Sequence, residues 1–438
     1  MLETVIYLIG QIANSLRGNL DYIFVLFPMI VISEMPLILT MIFGIFTWYS
    51  KNQVRDASHT PSISFIITCY GEGEAISITI NTLVEQVYAG HIEILAVVDG
   101  ATQNQHTYQA AMSSVEKYRG HENRTVKIIP KWQRGGRVST LNTGLYKARH
   151  DIVINVDGDT SFDNDMASNM ASQFANPNII ASGGALRVRN FDTNVLTRMQ
   201  SLEYMMSMQG GKTGTSQFGL LNNISGAFGA FRKSVLKRVG GWDTHTAEDL
   251  DLTMRLKQYK VRYPNLKLGF TPHAVGHTDA PDTVRDFVLQ RLRWDGDLLF
   301  LYMRKHIKGL TPSLLSWPVF IYTLVYGVLQ NVLLPILISG YSIYLLMAYP
   351  IEYSLSMFAI IYVVYLFVVL IKFFIYWVLI SERKISDIKQ AIWLFLYPLY
   401  ALFSRFITAF SMFNEVVRRS HEESSMAPWW VLKRGKKF

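Results

Sequence analysis

The residues best suited to chemistry are acids at the ends of apolar runs. Asp157-Gly158-Asp159 follows the apolar stretch IVINV. Two carboxylates one residue apart can point at one divalent cation, Mg²⁺ or Mn²⁺, and a cation there stabilises a departing diphosphate as a Lewis acid. An Asp-x-Asp alone is commonly a solvated turn, but its place at the end of an apolar strand favours the chemical reading. Asp99 ends an earlier run, in VVDGAT. Its carboxylate can accept from a uracil N–H, although taken alone Asp-Gly reads as a turn. Glu248-Asp249 lies in THTAEDLDLTMRL. Thr246 can cap the helix that follows, and acids in a first turn favour the helix dipole. The chemical alternative is a general base that takes a proton from an attacking hydroxyl.

Basic and aromatic residues add to the set. Gln290, Arg293 and Trp294 are spaced to share helix faces, Gln290 with Arg293 and with Trp294. Arg can bind pyrophosphate bidentately and Trp can stack on a sugar or base, while an isolated pattern of this kind reads as an interface helix. KWQRGGRVSTLNTGL offers Gly135 and Gly136 for close backbone approach and Arg137 for an anion; a plain strand-to-helix turn fits equally well. SGAFGAFRK suits either backbone contact with a sugar or a close-packed strand, and His277 reads as structural.

These residues need a scaffold that gathers strand ends. Strand-like runs Ser62–Thr68, His91–Gly100, Thr125–Pro130 and Asp151–Thr160 alternate with helical periodicity over Ala75–Gln86, Tyr108–Tyr118 and Val138–Ala148. That alternation predicts an α/β domain with a mostly parallel sheet, whose ligands lie beyond the C-terminal strand ends. The acidic motifs fall at those ends. The domain is expected over 51–312.

Apolar runs flank it. Residues 1–50 form an N-terminal membrane segment, with an interfacial helix over Met1–Ser15 and a span within Tyr22–Trp48. Residues 313–415 hold further candidates, Trp317–Tyr349 (too long for one straight span), Tyr353–Ile380 and Ala391–Phe413; 416–438 is a basic tail. Glu34 inside the first span is expected to reach a polar neighbour, and Lys372 and Arg405 to line a conduit, snorkel or pair with Glu34. The basic loop Ser381–Lys389 places the catalytic domain in the cytoplasm by the positive-inside rule. The net charge of +9 is explained by loops near lipid, so no nucleic-acid partner is expected. The single cysteine, Cys69, excludes an intrachain disulfide.

In order along the chain, SFIITCYGEGEAI, VVDGAT, GGRVSTLNTG, VDGDT, SGAFGAFRK, GGWD, AEDLDL and QRLRW resemble a family-2 glycosyltransferase of the polysaccharide-synthase type. Its relatives make poly-N-acetylglucosamine, cellulose, hyaluronan and chitin processively. The resemblance runs from about Ser62 to Trp294. It implies a GT-A fold, an inverting transfer from a UDP-sugar, and a divalent metal. It puts Asp99 at the uracil-contacting position, with Thr68, Tyr70 and Glu74 in the nucleotide-contacting segment. Asp157 and Asp159 match the diphosphate and metal motif, and Arg137 the position beside it. Asp249 matches the base, with Glu248 next to it; Gln290, Arg293 and Trp294 match the motif that holds nucleotide and acceptor end. The sequence departs from the pattern at TCYGEGE, at the single Asp of VVDGAT, at Arg137 for Lys, at Ala247 for Thr, and at Asp295-Gly296-Asp297. QRLRW is nearest to the poly-N-acetylglucosamine branch. The implied product is an extracellular polysaccharide made from UDP-N-acetylglucosamine and moved through the membrane helices. The implied partners are the UDP-sugar, the growing polysaccharide, the lipid bilayer of a bacterial inner or plasma membrane and an accessory membrane subunit. The alternatives are transfer of one sugar to a lipid carrier, or an inactive export or scaffold subunit.

Overall fold

The runs ISFIITC, IEILAVVD and IVINVD carry apolar residues on both faces, the pattern of strands buried on both sides. In the computed structural model, which describes residues 34–51, 58–243 and 246–419 together with Gly10 and His421, they become β1 (Ile63–Cys69), β2 (Ile92–Asp99) and β4 (Ile152–Asp157). β3 (Arg124–Lys131), partly exposed along its length, closes one edge. The expected interfacial helix over Met1–Ser15, most of the Tyr22–Trp48 run and nearly all of the basic tail lie outside the described residues.

The sheet also contains β5 (Ser161–Phe162), β6 (Ile179–Val188), β7 (Phe228–Arg232) and β8 (Lys267–Thr278), in the order β3-β2-β1-β4-β7-β6-β8-β5. The first four strands are parallel, as expected. The other half is mixed: β7 runs antiparallel to β4 and β6, β6 is parallel to β8, and β5 is antiparallel to β8. Alternation along β1 serves two cores. Phe65 packs with Ile76, Ile80 and Leu83 of the helix Ala75–Val84, whereas Ile66 faces Val138, Leu141 and Leu145 of the helix Gly136–Lys147. With helices on both faces, the parallel strands end together, and Thr68 at the end of β1 lies in register with Asp157 at the end of β4.

A third core joins this domain to the apolar helices. Met41, Ile45 and Trp48 of the helix Met35–Ser50 pack with Met205, Met206, Phe373, Tyr376 and Tyr397. Among the described residues, two helices are long and apolar enough to cross a membrane, Trp317–Ala348 (32 residues) and Ile351–Leu379 (29 residues). Trp317–Tyr349, expected to exceed one straight span, is thus a single helix up to Ala348, with a π-helical stretch at Thr323–Leu333. The run Ala391–Phe413 is not one straight helix. Lys384–Phe395 and Tyr397–Arg418 meet at 71°, with Pro398 in the first turn of the second, where proline's missing N–H is harmless.

Candidate active site

Each acidic motif is delivered by a strand end or helix start. β4 ends at Asp157, the turn through Gly158 follows, and Asp159 precedes β5. Arg137 sits in the first turn of the helix after β3, and its guanidinium ties the site together. Nη1 lies 2.6 Å from Asp157 Oδ1 and donates to Thr68 Oγ1 at 3.1 Å. Nε donates to Glu248 Oε1 at 2.5 Å and Nη2 to the Gly226 carbonyl at 2.7 Å. Burial works against this charge, but Asp157 and Glu248 outweigh it and keep the guanidinium firmly protonated. Burial in turn pushes the Glu248 carboxyl upward against the pull of Arg137, with Asp249 adding to the rise.

Glu248 and Asp249 begin the helix Glu248–Arg262, where their charge suits the N-terminal dipole. The helix start is not the expected one. Ala247 occupies the cap position in the left-handed region, at φ +48°, and makes no side-chain cap bond. Thr246 instead donates to Asp297 on the helix Val284–Phe300. A non-glycine residue in that region stores strain, of the kind found where a site dictates backbone shape. Asp249 is held by three donors: Asn223 Nδ2 at 2.9 Å, Gly226 N at 3.1 Å and Leu250 N at 2.7 Å.

Asp99 is bonded to the loop before Arg137 and to none of these acids. It is buried and accepts from Lys131 Nζ at 2.6 Å, Gly135 N at 2.9 Å and Gly136 N at 2.8 Å, fixing the loop that presents Arg137. Tyr70 is exposed, with Arg134 stacked 3.9 Å from its ring centroid. Glu74 is exposed at the start of the helix Ala75–Val84. Its neighbour Glu72 is the acid that reaches the site: its side chain lies against Gly158, where a Cβ would come within 3.0 Å of it.

Asp157, Asp159 and Glu72 crowd together. Burial raises the Asp159 carboxyl and Asp157 raises it further; burial also raises Glu72, with Asp159 and Asp157 adding to it. Glu72 Oε2 is buried with no hydrogen-bond partner among the described residues. Hard oxygen donors with excess negative charge fit a divalent cation. Among the described residues no three acidic, His or Cys groups form a complete metal cage, so other oxygens would finish its shell.

One cavity of about 730 Å³ joins these groups. Its wall includes Arg137, Asp157, Asp159, Glu248 and Asp249, then Gln290, Arg293 and Trp294, and also Glu34, Tyr365, Lys372 and Arg405 of the apolar helices. Thr68 stands behind the wall, bonded to Arg137. Arg291, between Gln290 and Trp294, donates to Glu203 at 2.5 Å, as does Tyr400, and its guanidinium lies 5.3 Å from the Trp294 ring centroid. Glu34 reaches polar neighbours, as expected: Tyr365 OH at 2.8 Å and Arg405 at 3.2 Å. His277 is structural, bonded to Asp163 at 2.9 Å beside Arg383. The strand reading of SGAFGAFRK holds for its second half, β7, while the Gly226 carbonyl before it bonds Arg137 and Asn155. Sequence reasoning missed Asn223, Glu203 and Lys212, all in the cavity wall. Nothing in LLNNIS or GGKTG marks them, because their place depends on helix crossings rather than on local pattern.

Comparison with known proteins agrees with this geometry. A poly-β-1,6-N-acetyl-D-glucosamine synthase of Staphylococcus epidermidis is 30% identical over 236 residues, 53% of this chain and 53% of the relative. The synthase of the same name from Staphylococcus aureus (strain COL) is 29% identical over 252 residues, 56% of this chain and 57% of the relative. The chain thus spans about half the length of the curated relatives it matches. Among solved structures, the mannosyltransferase PcManGT from Pyrobaculum calidifontis, in complex with GDP-Man and Mn²⁺, superposes with a TM-score of 0.58 at 17% identity, over 86% of this chain and 97% of that one, which marks a shared GT-A fold. The family model for glycosyl transferase family group 2 matches residues 152–407, more than half of the chain. The chain therefore belongs to glycosyl transferase family group 2.

Proposed function

We propose that the chain is a membrane-embedded, inverting glycosyltransferase that polymerises UDP-N-acetylglucosamine into a β-1,6-linked polysaccharide. The observation that carries this reading is that Asp157, Asp159 and Asp249 share one cavity with Trp294 and with Glu34, Lys372 and Arg405 of the apolar helices. An enzyme that adds one sugar needs a donor pocket and a short acceptor slot. A polymerase needs room for an acceptor that leads into the membrane. The names of the staphylococcal relatives supply the sugar and linkage.

The donor's diphosphate would lie at Asp157 and Asp159, with its base toward Thr68, Tyr70 and the loop fixed by Asp99. A divalent cation held by Asp159, with Glu72 beside it and phosphate oxygens completing the shell, would neutralise the leaving diphosphate. Arg137 holds Asp157 and Glu248 in fixed relation, so these carboxylates keep their geometry as charge moves to the leaving group. Asp249, pinned by Asn223 and two backbone N–H groups, takes the proton of the acceptor hydroxyl. That hydroxyl attacks the anomeric carbon opposite the departing UDP and inverts it. Trp294 and Gln290 support the acceptor end, and Arg293 faces the nucleotide. The catalytic domain, 51–312, lies on the cytoplasmic side and the 313–415 helices cross the membrane.

The test is a donor screen with detergent-purified protein, Mg²⁺ or Mn²⁺, and each UDP-sugar separately. UDP release with UDP-N-acetylglucosamine above all other donors supports the reading. Preference for another sugar overturns the substrate, and release with none overturns the activity.

A further inference from the structure

Lys212 is a cation in the wall of the cavity with no role in the chemistry above. Its ammonium has no hydrogen-bond or ion-pair partner among the described residues, although it feels the charge of Asp249. Lys212 is half-buried, so its ammonium is partly withdrawn from water with no protein partner, and oxygens brought by a ligand relieve that cost.

The backbone around it is built to hold it there. The π-helical segment Tyr204–Gly211 ends at Lys212, and such segments shift helix register at functional sites. The turn before it is anchored: Gln209, three residues earlier, donates to the Pro272 carbonyl at 2.8 Å and accepts from Tyr376 OH at 2.9 Å. Two residues beyond Lys212, Gly214 meets Gly44 of the helix Met35–Ser50 in backbone-to-backbone contact that leaves no room for a Cβ on either glycine. Lys212 is thus held on the cavity side by contacts it does not make itself. Its electrostatic neighbour is Asp249, which is bound by Asn223; the donor-side acid Asp157 is tied to Arg137 instead. Burial also lowers the ammonium to about 8, with Asp249 opposing the change.

We infer that Lys212 is a positioning residue for the acceptor, its ammonium donating to a hydroxyl or acetamido oxygen of the terminal sugar while Asp249 takes the proton of the attacking hydroxyl. This inference rests on the transferase reading above. It assigns Lys212 to the acceptor and not to the anionic donor.

The experiment compares wild type, Lys212→Met and Lys212→Arg as full-length protein in detergent. The readouts are KM for UDP-N-acetylglucosamine, KM for an N-acetylglucosamine oligosaccharide acceptor, and UDP release without acceptor. Lys212→Met is expected to raise acceptor KM by about tenfold, the scale of one charge-assisted hydrogen bond, with donor KM and acceptor-free UDP release unchanged. Lys212→Arg is expected to recover most of the loss, which a purely structural role would not require. A parallel rise in donor KM, an unchanged acceptor KM, or equal loss in both variants overturns the assignment. A wild-type chain that neither hydrolyses nor transfers the UDP-sugar overturns the transferase reading itself, and Lys212 as an acceptor residue falls with it.

Discussion

Arg137 Nε lies 2.5 Å from Glu248 Oε1. This bond joins the helix that follows β3 to the helix that carries Asp249, two elements 111 residues apart in sequence. The same guanidinium holds Asp157 at 2.6 Å, so one buried cation sets the spacing between the donor acids and the proposed base. Removing one partner of a buried ion pair leaves the other charge uncompensated, at a cost of about 3–5 kcal/mol. Arg137→Ala is expected to abolish transfer and lower the melting temperature in detergent. Arg137→Lys keeps the charge but loses the fork that reaches both acids, so transfer should fall while the fold survives. Full activity in Arg137→Lys would show that the bridging geometry is not needed.

Asp249 separates chemistry from stability. Asn at this position can still accept from Asn223 and Gly226 but loses the bond from Leu250 N, so Asp249→Asn should keep its fold and lose at most about 1–3 kcal/mol of stability. Transfer should fall by about 10²–10⁴-fold, the usual scale of general-base catalysis. Donor binding, read by UDP displacement, should be unchanged. Polymer yield equal to wild type would remove Asp249 from the base role.

The helix crossing beneath Lys212 offers a structural prediction. A Cβ on Gly214 would run into the Met41 backbone, and backbone cannot yield as a flexible side chain can. Gly214→Ala is expected to cost about 1–3 kcal/mol by overpacking and to weaken acceptor use more than donor use, because the crossing aims Lys212. Thermal melting and the two KM values check this.

Asp297 gives a pH dependence with a defined sign. Burial raises its carboxyl to about 7, against the hydrogen bond from Thr246 and the charge of Arg293. The unfolded value is near 4, so the folded protein holds a proton that the unfolded chain releases in that interval. Stability therefore falls as pH rises from about 4 toward 7 and levels off above it. Asp297→Asn removes this dependence and can still accept from Thr246. Its melting temperature should pull ahead of wild type between about pH 5 and pH 8. Parallel curves would contradict the buried, protonated state.

Much of this was legible in the sequence for identifiable reasons. Strands buried on both faces leave continuous apolar runs, which is why the expected β1 and β2 agree within one residue and β4 within three. The acidic end of β4 then located the site. An acid among apolar helices needs a polar neighbour, and Glu34 found Tyr365 and Arg405. Sequence failed where tertiary contact decides. Glu72 and Glu74 are equivalent in pattern, yet the turn through Gly71 and Gly73, both at positive φ, aims only Glu72 at Gly158. Thr246 looked like a cap because Thr commonly is one, but Asp297 from another helix claims its hydroxyl. The mixed half of the sheet was missed because β7 returns after the long helical excursion Val195–Ser216, whose direction no local pattern states. Lys212, flanked by glycine and threonine, reads as surface until the Gly44–Gly214 crossing is seen.

The central claim is that one cavity serves both transfer and growth of a polymer. Its most direct test is the size and linkage of the product made by detergent-purified protein from UDP-N-acetylglucosamine and Mn²⁺ or Mg²⁺, with no other component. The account predicts a ladder of high-mass chains that a β-1,6-specific hexosaminidase digests and that Trp294→Ala shortens. A single sugar on a lipid, or short products whose length does not respond to Trp294, would contradict it.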